Sequence, residues 1–265
     1  MISSLASIHP NAKLGNDVTI EPFAVIHDNV TIGDGTHIMS HAVIMSYSNI
    51  GQNCRIFPGA VIGAVPQDLK FIGEETTVEI GNNTTIREYV TINRGTKDKW
   101  KTAIGSNCLL MAYAHVAHDC IIGNNVILAN AVQLAGHVEI GDYAIIGGLA
   151  GAHQFTRIGA HTYVAGHTVI RKDVPPYVKA AREPMCYMGL NIVGLQRRSF
   201  SQEQIQTISQ IYHLLFINNN STSTAISMIN ERVDSGKLKE EILEFVQNSK
   251  IGIIKRYSKN EVDEN

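Results

Sequence analysis

Charge is sparse in this chain: 22 of its 265 residues are Lys or Arg and 24 are Asp or Glu, for a formal net charge of -2. That balance excludes whole-molecule attraction to nucleic acid or to an anionic membrane, so any basic contact must be a local patch. Aromatic residues make up only 6% of the chain, with a single tryptophan, which leaves the core to aliphatic side chains. No stretch approaches the ~20 apolar residues of a bilayer span. The opening Met1-Ile-Ser-Ser-Leu5 lacks the basic and apolar regions of a secretory signal. The four cysteines, Cys54, Cys108, Cys120 and Cys186, form no CxxC pair, which speaks against structural zinc and secreted disulfides. A cytoplasmic globular protein is expected, long enough for one large domain or two modest ones.

What is abundant is a period of six. Counted in sixes from Ile8, the first column reads Ile8, Leu14, Ile20, Ile26, Ile32, Ile38, Ile44, Ile50, Ile56 and Ile62. It resumes at Ile80, Ile86 and Ile92, and again from Ile104 to Ile170; of 25 positions only Ala152 is not Ile, Leu or Val. The fifth column is small or β-branched and includes Cys54, Cys108 and Cys120, which makes these thiols small core residues. Six fits neither the helical period nor a two-residue alternation, so each repeat is a short strand plus a corner. Three repeats close a triangular coil of about 18 residues, and stacked coils make a parallel β-helix. The clock breaks twice without losing phase, near 64–73 and 95–103. Both breaks are expected to be loops thrown out of an intact coil, and loops on a rigid scaffold commonly carry function.

After Asp173-Val-Pro-Pro176 the clock stops. Ser201-Gln-Glu-Gln204 has the form of a capping box, followed by Ile205, Ile208, Ile211, Tyr212 and Leu215 at helical spacing. Two further helices are expected around Ala225–Val233 and Leu238–Val246. The expected organisation is a β-helix over 1–190 and a small helical domain over 191–265.

The coil decides how to read Met111-Ala-Tyr-Ala-His-Val-Ala-His-Asp-Cys120. On a helix its two histidines would share a face as metal ligands; on a coil wall the neighbours are instead residues 18 apart. His118 then lies beneath Gly136, and Gly136 beneath Gln154; Asp119 lies beneath His137, with His153 alongside. A neutral imidazole can take a proton from an alcohol when an acceptor such as Asp119 fixes its tautomer. A glycine above it leaves a backbone N–H accessible to an oxyanion. Base plus amide donor points to acyl transfer. The scattered histidines His9, His27, His37, His41, His161 and His213 are expected to be solvated wall residues.

The repeat resembles that of the hexapeptide-repeat acyltransferases, whose coil is left-handed. The hand is implied by the resemblance, because the general preference is for right-handed crossovers. Pro66-Gln-Asp-Leu-Lys70, His115-Val-Ala-His-Asp-Cys120, Leu134-Ala-Gly-His137, His153-Gln-Phe155, Asp173-Val-Pro-Pro-Tyr177 and Asn191-Ile-Val-Gly-Leu-Gln-Arg-Arg198 are similar to segments of the UDP-N-acetylglucosamine acyltransferases, with which lipid A synthesis begins. The resemblance implies transfer of a (3R)-hydroxyacyl chain from acyl carrier protein to the 3-hydroxyl of the sugar, in a homotrimer, with no metal or other cofactor. It implies His118 as general base and Gly136 as oxyanion donor. Gln67, Asp68, His115, His137 and Gln154 would contact sugar or hydroxyacyl group, and Lys70 and His153 would lie near the phosphates. Asn191, Arg197 and Arg198 match the nucleotide-binding segment, although Val193 stands where an acidic residue is expected. Gly166 matches the position where the acyl tail ends, and its small size implies a long chain, with an added side chain filling the groove. The alternatives are the related N-acyltransferase, which carries a preceding domain for which repeats from Ile8 leave no room, and a zinc carbonic anhydrase of the same coil. A non-catalytic β-helical scaffold is the remaining reading.

Overall fold

In the computed structural model, which describes residues 1–216 and 221–256, short strands recur from Ser7–Ile8 to Val169–Ile170. They build three parallel walls, of nine strands, eight strands and a third that reaches eleven by adding Val178–Ala181 in parallel, Cys186–Leu190 antiparallel to it, and Lys255–Arg256. Ser7 pairs with Val25, Val25 with Val43, and Val43 with Val61, one 18-residue coil at each step. Val61 then pairs with Thr91, and Thr91 with His115. Those two steps contain the inserted loops, and each adds a multiple of six residues, so the inward column is never displaced. The walls form a left-handed parallel β-helix.

The aliphatic column points to the axis: Ile38, Ile44, Ile56, Ile62, Ile86, Ile92, Leu110 and Leu128 are all fully buried. Each such side chain contributes about 1.5–3 kcal/mol of transfer free energy. Cys54, Cys108 and Cys120 are buried free thiols between these layers, and burial pushes the Cys120 thiol up to about 12. Corners are turned by single residues with left-handed backbone. At one corner these are Asn53, Asn83, Asn107 and Asn125, asparagine being the side chain that visits this region at least cost. At another they are Asp119, His137 and Phe155, with φ of 60°, 64° and 65°. The same conformation recurs along the coil at Phe23, Tyr89, Ala131 and Leu149, so it is a property of the corner and does not by itself mark function.

Among the described residues four helices follow: α1 (Ile192–Arg197), α2 (Gln202–Phe216), α3 (Thr222–Arg232) and α4 (Lys237–Gln247). The capping box at α2 closes as its sequence predicts, with Gln204 N–H donating to Ser201 Oγ at 3.1 Å and Ser201 N–H to Gln204 Oε1 at 2.8 Å. Ile205, Ile208, Ile211, Tyr212 and Leu215 form its buried stripe. Helix α1 was not legible from periodicity, being less than two turns long and containing Gly194. The helices dock on the last coils through polar contacts. Tyr212 Oη donates to the Pro176 carbonyl at 2.6 Å, Tyr177 Oη to Glu241 Oε2 at 2.6 Å, and the Arg157 guanidinium covers the Phe245 ring at 4.5 Å.

Candidate active site

The coil register brings His118, Gly136 and Gln154 into one column and Asp119, His137 and Phe155 into the next. His137 N–H donates to the His118 carbonyl at 3.0 Å and Phe155 N–H to the Gly136 carbonyl at 3.2 Å, which fixes the stacking. His118 is not an exposed wall residue, as its place on the coil predicts, but is buried. The 95–102 loop and the coil above cover it.

His118 Nδ1 lies 2.8 Å from Asp119 Oδ2. Asp119 is fully buried and accepts three further hydrogen bonds: from Thr96 N–H at 2.9 Å, Thr96 Oγ1 at 2.6 Å and Lys99 N–H at 3.2 Å. Burial, the strongest influence, raises the Asp119 pKa, but the donors from Thr96, His118 and Lys99 outweigh it and hold the carboxyl below its ordinary value. An ionised Asp119 is acceptor-only, so the shared proton sits on His118 Nδ1 and the lone pair on Nε2. The 95–102 insertion is therefore a structural part of the base. Thr96 and Lys99 were missed by reasoning from the sequence; the only signal was the break in the repeat, which marks a loop without saying what it binds.

Nε2 faces Gly136. A Cβ built on Gly136 would lie 2.6 Å from His118 Cε1 and 2.8 Å from Nε2, closer than atoms pack. The imidazole thus occupies the space a side chain would need, and only glycine fits above it. Among the described residues the Gly136 N–H has no acceptor within the chain. A basic nitrogen and a free amide donor meet at one corner, the pairing required for attack on an acyl carbon.

His137 packs edge-on to His118 with centroids 5.1 Å apart and stacks on Phe155 at 4.5 Å. Its Nδ1 is 3.1 Å from Asp98 and its Nε2 3.8 Å from Asp119. Burial lowers its pKa most strongly, against the opposing pull of Asp119 and Asp98. His115 Nδ1 meets Thr91 Oγ1 at 2.7 Å, and burial, with His118 adding to it, lowers its pKa too. Asp68, Lys70, Glu74, Thr96, Lys97, Asp98, His137 and Phe155 line a pocket of about 500 Å³ between the two loops. Gln67 is exposed on the first loop. His115, Leu134, Ala135, Ala152, His153 and Val169 line a mainly apolar groove of about 300 Å³ along one wall; Gln154 is exposed above Gly136.

Four candidate residues lie away from this corner. Asn191 caps α1, its Oδ1 accepting from Gly194 N–H at 3.3 Å while Nδ2 donates to the His161 carbonyl at 2.9 Å. Arg198 donates to the carbonyls of Gly194 and Tyr143 at 3.3 and 3.1 Å and lies over the Tyr143 ring. Asn191 at its N-cap and Arg198 at its C-cap hold α1 on the coil. Arg197 is exposed. Gly166 is one coil above Gly148, and a Cβ there would lie 2.8 Å from the Gly148 carbonyl oxygen. A side chain at 166 does not simply fill a groove, as its place in the repeat predicts; the wall itself has to give.

His118, Asp119 and His137 offer ligand atoms within 4.8 Å of one another. The 2.8 Å separation of His118 Nδ1 and Asp119 Oδ2 is a hydrogen bond, which a zinc ion held between those two atoms would have to replace. The donor set suits a proton better than a metal.

His161 is not a wall histidine. It stacks between Tyr143 and Tyr177 at 4.9 and 5.5 Å, with Phe200 edge-on at 5.0 Å. Burial, then Arg198, lowers its pKa to about 4. The unfolded chain protonates near the ordinary ~6.5, so the unfolded state binds more protons between these values. Stability supplied by the neutral ring is complete above about pH 6.5 and is lost as pH falls towards 4. Denaturant unfolding across this window should show His161→Phe with a shallower loss than the parent protein; equal slopes would place the acid sensitivity elsewhere.

Known proteins resemble this chain over most of its length. Residues 173–254 match the family described as Udp N-acetylglucosamine O-acyltransferase, Domain 2, and residues 11–46, 23–58 and 101–136 match the bacterial transferase hexapeptide of six repeats. The acyl-[acyl-carrier-protein]–UDP-N-acetylglucosamine O-acyltransferase of Aliivibrio fischeri is 45% identical over 262 residues, covering 96% of this chain and 100% of that one. The protein of the same description from Paracidovorax citrulli is 51% identical over 231 residues, covering 87% and 88% of the two chains. The UDP-N-acetylglucosamine acyltransferase structure from Bacteroides fragilis superposes with a TM-score of 0.95 at 49% identity, covering 96% and 100%.

Proposed function

The chain belongs to the UDP-N-acetylglucosamine O-acyltransferase family, and from that premise we propose how its own residues carry the reaction. It transfers an acyl group from acyl carrier protein to an oxygen of UDP-N-acetylglucosamine, and from the motifs quoted above we propose that the group is (R)-3-hydroxyacyl, the acceptor the 3-hydroxyl and the pathway lipid A biosynthesis. His118 Nε2 takes the proton of the sugar hydroxyl while Asp119 holds Nδ1–H. The hydroxyl oxygen attacks the thioester carbonyl, and the oxyanion accepts a hydrogen bond from Gly136 N–H. Collapse breaks the carbon–sulfur bond, and His118 returns its proton to the departing thiolate.

The observation that carries this reading is the imidazole wedged between Asp119 and Gly136, with its basic nitrogen on the glycine side. Asp68 and Lys70 line the polar pocket on one side, suited to the sugar nucleotide. The apolar groove past His153 is suited to the acyl chain. The groove is open to solvent along its length, and the homotrimer we propose gives it a second wall. Among the described residues no helix is long and apolar enough to cross a membrane. Buried thiols at Cys54, Cys108 and Cys120, which form no disulfide, suit the reducing cytoplasm, where we place the chain. The test is purified protein with UDP-N-acetylglucosamine and a mixture of hydroxyacyl carrier proteins, read by mass spectrometry. A sugar nucleotide heavier by one hydroxyacyl group is expected; hydroxyacyl carriers left unconsumed would overturn the reading.

A further inference from the structure

Arg94 is 9% exposed, and its Nε has no hydrogen-bond partner. Among the described residues no carboxylate forms an ion pair with it. Although the Glu75 carboxylate acts on the nearby Tyr47 it does not pair with Arg94, and the buried Nε side of the guanidinium needs something to face its charge. Two aromatic rings do so here: Tyr47 on the coil, 5.1 Å from the guanidinium carbon, and Phe71 on the first inserted loop, 5.3 Å away. Arg94 N–H also donates to the carbonyl of Ala64, where that loop leaves the wall, at 2.9 Å.

Phe71 belongs to the turn that presents the loop's polar groups. Its N–H donates to the Asp68 carbonyl at 3.0 Å, and the Lys70 N–H donates to Asp68 Oδ1 at 3.0 Å. Asp68, Lys70 and Phe71 are therefore one hydrogen-bonded unit on an otherwise exposed loop; its Leu69 and Ile72 are 106% and 83% exposed and anchor nothing. We propose that Arg94 is a positioning residue: held between Tyr47 and Phe71, it sets the Asp68–Phe71 turn against the polar pocket and thereby fixes Asp68 and Lys70 for the sugar nucleotide. The planar guanidinium can lie on two ring faces at once, which an ammonium does less well. Without it the turn would have to be ordered on each binding event, a cost that falls on sugar-nucleotide affinity and not on the chemistry at His118.

The inference rests on the reading that this loop contacts the sugar nucleotide, and the experiment separates the two. Arg94→Met keeps length and burial without charge. Its KM for UDP-N-acetylglucosamine should rise about tenfold, the scale of losing desolvated cation–π contacts, while kcat and the KM for the acyl carrier stay within about twofold. Phe71→Leu should behave alike, the double variant should be no worse than either single one, and Arg94→Lys should recover part of the affinity. Hydrogen exchange at the Lys70 and Phe71 amides should quicken in Arg94→Met with little change at the coil amides. If exchange and KM are both unchanged, the pinning is wrong. If Lys70→Ala raises the sugar-nucleotide KM but Arg94→Met does not, the positioning role is overturned. If neither variant alters that KM, the loop does not bind the sugar nucleotide, and the inference falls with the reading.

Discussion

His118→Ala should lower turnover by ~10²–10⁴, the range for a positioned general base. The loss should appear in kcat with much smaller changes in either KM, because Asp68 and Lys70 in the polar pocket and the apolar groove are left in place. The imidazole is buried and packs edge-on to His137, so removing it leaves a small void and strips Asp119 of one of its donors. Asp119 keeps its bonds from Thr96 and Lys99, and the axial core is untouched. A circular-dichroism melt should therefore stay cooperative. Turnover within a few fold of the parent protein at saturating substrates would remove His118 from the chemistry.

Gly136→Ala should be nearly as damaging, although it adds a single methyl group. That methyl would lie 2.6 and 2.8 Å from His118 Cε1 and Nε2. Glycine at 136 does not have a positive φ, so backbone strain is not the cause; the clash is with the base itself. Either the imidazole swings away and gives up its 2.8 Å bond to Asp119, or the wall lifts and carries the free amide with it. Both outcomes misplace the pair that must act on one carbon, and a displacement of about 1 Å can cost on the order of 10²-fold. The expected readout is a kcat reduced about 100-fold or more with little change in thermal midpoint. A ¹⁵N spectrum of His118 should show the Nδ1–H tautomer lost or mixed. An alanine variant of near-normal kcat would show that the imidazole and Gly136 are not held together as described.

The architecture was legible because the repeat is one-dimensional. Once the period is six, the register follows: His118 under Gly136 and Asp119 under His137 are consequences of coil length, and hydrogen bonds between those coils are found where that register puts them. The small-residue column, the buried thiols and the capping box of α2 were equally local, each set by spacing along the chain. The two insertions were visible as interruptions, but their destinations were not. Nothing in Gly95-Thr-Lys-Asp-Lys99 says that Thr96 and Lys99 will close over Asp119, because that contact spans 20 or more residues and depends on the loop's path. The same holds for Arg94, whose partners Tyr47 and Phe71 sit on different coils and loops, and for His161, which only the arrival of Phe200 from beyond α1 encloses.

The sequence by itself determined the coil, its contents and which residues share a corner, since a six-residue repeat leaves the chain no other way to bury its aliphatic column. Only the tertiary structure decided the protonation and access of that corner. Whether His118 is exposed or buried, which of its nitrogens is basic and why position 136 has no room for a side chain all depend on atoms brought together by loops and adjoining coils. Tautomer and close approach are set by distances of a few tenths of an ångström, and a pattern of residue types does not specify distances on that scale.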